Sequence, residues 1–240
     1  MVRVIGNLSL LGFIDGITAI GIILFSVLFG LISFYHARKL KARLLAIAGL
    51  TMITVGLLWL GPAIDFFMVL LTGNNLNPQY IYGWLSYVSI APAIVVGFLL
   101  GAELMVPKWK KEIVIFYTIL GVIFEFFLFM NPAPPTGIFV FNAVSEGDLI
   151  DSGFNRNHFA YYLIAFFLIS VFIFLVIGFA IKAKQATGDL RKKFLYLFIG
   201  ELIFFICGMA DSLFQPGLYL GIWRGAMMTF GIWMYLGLKT

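Results

Sequence analysis

Of the ionisable side chains inside the long apolar runs of this 240-residue chain, five stand toward the same ends: Asp15, Asp65, Glu125, Asp211 and Arg224. Charge in a hydrocarbon environment is costly, so such residues mark ion pairs, pathways or binding sites. Counted from the loop ends of their runs, all five fall at one depth, roughly 5–10 Å below one membrane face at 1.5 Å per residue. His158, with Tyr161 and Tyr162 at helical spacing, adds a polar and aromatic face at the same level. Four carboxylates around one guanidinium suit two kinds of chemistry. They can line an outward-facing vestibule that takes a small cationic or amphipathic ligand, or they can neutralise one another as a structural ion-pair network. In either case Arg224 is expected to pair with Asp211 or Asp65, the acids at matching depth.

Other chemistries do not fit the residues present. No His/Cys group has zinc spacing, no glycine loop would cradle a phosphate, and no Ser, His and Asp arrangement suggests a nucleophile, so no catalytic, metal or cofactor site is expected. A lysine in the middle of the last run, as a retinal Schiff base would need, is absent too.

The elements that position these residues follow from composition. With 62% hydrophobic and 11% charged residues and a mean hydropathy of +1.05, the chain is far from the globular norm of about a quarter charged, and its partner is the lipid bilayer. The net charge of +5 does not signal nucleic acid, because the basic residues sit in short links between apolar runs. Those runs cover 10–35, 44–71, 80–105, 113–130, 157–181, 194–214 and 218–238. The expected fold is therefore a single all-α seven-transmembrane bundle over 1–240, a multi-pass protein of the cell membrane. The links after the first, third and fifth runs, together with Lys239, carry 13 of the 16 Lys and Arg residues. That asymmetry predicts the N-terminus outside and the C-terminus in the cytoplasm.

Of the outer links, 72–79 is an uncharged turn-rich loop expected to be ordered by side-chain to backbone bonds. The long link 131–156 opens on a rigid Pro-rich stretch. Its segments Gly137 to Asn142 and Glu146 to Asp151 are expected to form a short hairpin over the outer mouth. In the sixth run, Glu201, Phe204, Gly208, Asp211 and Gln215 share one narrow arc, giving an otherwise apolar helix a single protein-facing stripe. Glu103 and Glu201 lie toward the inner ends and are expected to meet the basic links. A faint echo relates Gly61 to Asp65 with Gly208 to Asp211, and the Trp84 and Trp223 regions of the third and seventh runs, a three-plus-one-plus-three pattern.

The N-out series of seven runs, the basic first and fifth links, the long outer link ending in Gly153-Phe-Asn-Arg-Asn-His158 and the Gly208-x-x-Asp211 of the sixth run resemble a known family. It is the seven-transmembrane sensor module at the amino terminus of prokaryotic histidine kinases and cyclases. The resemblance implies a non-enzymatic input module that passes a signal to a cytoplasmic output domain. Since the sequence stops at Thr240, the signal is expected to pass to a separate cytoplasmic partner or through a homodimer. Two alternatives come from other classes: a small-solute or ion transporter of three-plus-one-plus-three architecture, and a lipid-modifying enzyme using the outer carboxylates.

Overall fold

The computed structural model describes residues 3–5, 7–134, 136–142, 144–214 and 216–239. Six helical segments are long and apolar enough to cross a membrane: Leu10–Leu40, Arg43–Thr72, Tyr80–Met105, Pro107–Met130, Phe159–Gln185 and Gly188–Leu213. The protein is an all-α membrane protein on this evidence. The last apolar run forms two nine-residue helices, α10 (Leu220–Met228) and α11 (Phe230–Leu238), separated by Thr229.

Helix α1 (Leu10–Leu40) continues beyond the expected end of its apolar run, so that Arg38 and Lys39 occupy its last turn, where cations complement the helix dipole. Lys41 then stops it in the left-handed region at φ 53°, and α2 (Arg43–Gly56) starts two residues later. The next segments depart from α geometry where the sequence supplies a cause. A 3-10 turn at Leu57–Trp59 separates α2 from α3 (Leu60–Thr72), because Pro62 has no N–H for the carbonyl of Leu58. Pro92 does the same to Val88, between α4 (Tyr80–Tyr87) and α5 (Ile90–Met105).

Helix α6 spans Lys110–Met130. The segment after the long link holds α7 (Phe159–Val171), a π-helical stretch Phe172–Ile177, and α8 (Gly178–Gln185). Helix α9 (Gly188–Leu213) follows unbroken. Thr229 turns its hydroxyl back onto the Ala226 carbonyl at 2.7 Å while accepting the Trp233 indole at 3.1 Å, which accounts for the step between α10 and α11.

The outer link does contain a hairpin, with a different second strand from the one expected. Strand β3 (Phe139–Phe141) pairs antiparallel with β4 (Ser152–Phe154), Phe139 opposite Phe154. The segment 146–151 is a turn instead, because Leu149 and Ile150 are drawn into the protein and buried. An earlier antiparallel pair joins Arg3–Ile5 (β1) to Leu8–Ser9 (β2). Gln215 of the expected stripe lies outside the described residues.

One apolar core, around Met52, Leu100, Phe179, Leu197 and Met234, joins α2, α5, α8, α9 and α11. A second, around Phe98, Phe124, Ile138, Phe139 and Phe167, lies between α5, α6, α7 and the hairpin. Under the first outer link and the turn at 146–151, Leu8, Phe66, Val69 and Leu149 form a small cluster of their own.

Candidate functional site: a buried charge network beneath an outer cap

Arg224 of α10 is 6% exposed and Asp15 of α1 is 5% exposed. The Arg224 Nη1 donates to the Asp15 carboxylate and, at 3.0 Å, to the Asp15 carbonyl. Its Nε donates to Asp211 Oδ1 at 3.0 Å. The other Asp211 oxygen accepts from Trp59 Nε1 at 3.3 Å. One guanidinium thus holds two carboxylates, and a network of four side chains ties α1, the 3-10 turn between α2 and α3, α9 and α10. Removing Arg224 leaves both carboxylates without a counter-charge, the costly situation for an ion pair out of water. The expected pairing of Arg224 with Asp211 is present. Asp65 is not its second partner; Asp15 is.

Asp65 has another task. Fully buried in α3, its Oδ1 accepts from the Leu76 backbone at 2.7 Å, and its Oδ2 accepts from Asn75 Nδ2 at 3.0 Å and from the Ile150 backbone at 2.8 Å. Asn75 also donates to the Asp148 carbonyl at 3.0 Å. Ser9 bonds the Asp148 carboxylate through its hydroxyl, which in turn caps α1 by accepting from Gly12 N, while its N–H donates to Gly147 O at 2.9 Å. Gly147 sits at φ +83°, and an added Cβ there would lie 2.6 Å from the Asn7 carbonyl, so only glycine fits this turn. A single carboxylate therefore fastens both outer links over the charge network. The ordering of 72–79 by side-chain to backbone bonds is as expected.

The remaining sequence candidates form a separate group on α6 and α7, and no hydrogen bond or ion pair joins them to the network among the described residues. Glu125 lies beside the Ala91 backbone in the first turn of α5, and among the described residues no side chain bonds to its carboxylate. His158 caps α7, its Nδ1 accepting from Ala160 N at 3.1 Å, with Phe127 edge-on to the ring. Burial holds its imidazole below the usual histidine range. Tyr161 and Tyr162 contact each other, and Tyr162 is 62% exposed and faces away from the bundle. The eight residues hence do not line one vestibule. Spacing along each helix puts Asp15, Asp211 and Arg224 level with one another, where their side chains meet, but could not give the rotation of α7, which is set by its packing on α6.

Sequence reasoning passed over Trp59, Asn75 and Ser9. The signal for Ser9 was available, since a serine directly before a long apolar run is the usual mark of a helix cap. Glu103 meets a basic link as expected, bonding Lys110 at 2.8 Å. Glu201 does not. It lies midway along α9, 5% exposed, in line with Leu197 and Phe204 on the face that packs into the first apolar core, and it has no hydrogen bond or ion pair among the described residues. No protein-family model matches this chain, and no curated protein matches it.

Proposed function

We propose that the chain is a non-enzymatic seven-helix membrane sensor, N-terminus outside and C-terminus in the cytoplasm, acting through a separate partner or a homodimer. In this reading the α10 and α11 pair is the seventh span. The observation that supports it is the network Asp15, Arg224, Asp211 and Trp59, which links four helical elements directly beneath a cap held by Asp65. Such an arrangement has two natural states. With the cap latched, Arg224 is enclosed with its acids. With the cap lifted, a small cationic or amphipathic ligand competes with Arg224 for Asp15 and Asp211, and α9 and α10 are released from α1.

Spin labels at Thr187 and Lys239, placed in a chain with Cys207→Ser, test this by pulsed electron resonance. The Asp65→Ala variant, which unlatches both outer links, is expected to shift the distance distribution between the inner ends of α9 and α11. An unchanged distribution in a variant whose outer link has become protease-sensitive means that the cap and the inner ends are not coupled, and the sensor reading fails.

Glu201 favours a second reading. A carboxyl midway along its helix with no partner among the described residues, in a bundle whose segments leave α geometry at Leu57–Trp59, Phe172–Ile177 and Thr229, is the placement expected for the site of a transporter. Saturable solute flux into liposomes that is lost with Glu201→Gln would establish it over the sensor.

A further inference from the structure

At the opposite end of the bundle from the cap, a cavity of about 300 Å³ opens between the first turns of α2 and α9 and the last turns of α5 and α11. Its walls include Leu45, Leu104, Leu197 and Leu238, and Arg43 and Lys193 stand among its lining residues. The deep end is closed by the contact of α11 with α9, where a Cβ at Gly237 would meet Leu197 at 2.6 Å. Neither Arg43 nor Lys193 has an ion pair among the described residues. Glu103, the acid whose charge reaches Arg43, is already bonded to Lys110.

An apolar slot with two uncompensated cations at its rim is complementary to an anionic amphiphile. The volume stands at the lower end of the range for ligand sites, which suits one hydrocarbon chain rather than two. We propose that this cavity binds one anionic phospholipid from the leaflet facing the basic links, an acyl chain lying among Leu45, Leu104, Leu197 and Leu238 and the phosphate meeting Arg43 and Lys193. The second chain stays in the bilayer. This goes beyond the sensor reading and does not depend on it, since the site involves neither the cap nor the charge network.

The full chain in a nonionic detergent, titrated with phosphatidylglycerol, phosphatidylcholine or oleate, tests the assignment through thermal unfolding and through lipid retention in native mass spectrometry. Phosphatidylglycerol is expected to raise the unfolding temperature saturably and to be retained at one copy, whereas phosphatidylcholine does neither and oleate, with a carboxylate in place of the phosphodiester, does both more weakly. Arg43→Gln with Lys193→Gln should weaken that effect at least about tenfold, given about 1 kcal/mol for each basic residue near an anionic headgroup. The lipid-free unfolding temperature of this variant, matched to the parent, checks that it folds. Arg38→Gln with Lys39→Gln removes as much charge from the end of α1, outside the cavity, and is expected to leave the affinity unchanged. Leu104→Phe, which fills the slot, should weaken it without altering charge. Equal stabilisation by phosphatidylcholine or by oleate, equal loss in the α1 control pair, or indifference to Leu104→Phe would each overturn the proposal.

Discussion

Arg224 shows how one side chain decides whether a buried cluster is stable. Taken alone, Arg224→Ala leaves Asp15 and Asp211 facing each other without a counter-charge, and a loss of roughly 3–5 kcal/mol is expected. The triple change Arg224→Met, Asp15→Asn, Asp211→Asn removes all three charges together and should cost less than the single change. Reversible unfolding in mixed micelles, analysed as a mutant cycle, measures the difference; additive effects would mean that the pairs contribute nothing. His158 gives a pH dependence whose sign follows from its environment. Because burial lowers its affinity for a proton in the folded state, the unfolded chain binds more protons. Its contribution is complete above the ordinary value of 6.5 and is lost as pH falls below it. Protonation also removes the Nδ1 lone pair that accepts from Ala160 N. The protection factor for hydrogen exchange in the first turn of α7 should therefore fall between about pH 7 and about pH 5, and His158→Asn, which keeps an acceptor but does not titrate, should flatten the profile.

Between elements, α1 and α2 come close enough to set backbone against backbone. A Cβ at Gly49 would lie 2.7 Å from the Gly30 carbonyl, and one at Gly30 would lie 2.8 Å from the Gly49 carbonyl. Both obstacles are backbone, which cannot rotate away, so the helices would have to separate. Ser26 and Ser33 complete the α1 side of this seam, while Gly56 faces Ser26. In a membrane, where helix association rests on close packing rather than on the hydrophobic effect, Gly49→Leu is expected to cost more than any exchange on the lipid-facing side of α1. Leu28→Ala, at an exposed position on α1, is the comparison, read as thermal stability in detergent. The apolar runs that give rise to these helices were legible because length and hydropathy need no knowledge of neighbours. Position along each run was legible too, and it sets Asp15, Asp211 and Arg224 level with one another, as their contacts require. Rotation about each helix axis was not, and it separates Tyr162, on the outside, from Arg224, on the inside. Asp65 illustrates a different limit. Two of its three partners are the backbone N–H groups of Leu76 and Ile150, which any residue but proline would offer, so nothing in residue type announces them.

For the whole molecule, the 13 to 3 division of basic residues makes a topology that labelling can check. In a chain with Cys207→Ser, an impermeant thiol reagent added outside cells should modify Ser145→Cys and spare Gln185→Cys; the opposite pattern would invert the orientation. The charge network also imposes an order on biogenesis. Asp15 and Arg224 are 209 residues apart, the first in the opening helix and the second in the final helical pair. At usual rates of synthesis of 5–20 residues per second, Asp15 waits roughly 10–40 s for its counter-ion. During that interval α1 carries an unneutralised acid close to the membrane surface, and the bundle can be assembled only as an open sheaf around the place that α10 will take. Arrival of Arg224 is then the event that closes it. A ribosome stalled before that codon should leave a partly inserted, protease-sensitive intermediate, whose lifetime in the cell is set by translation rather than by folding.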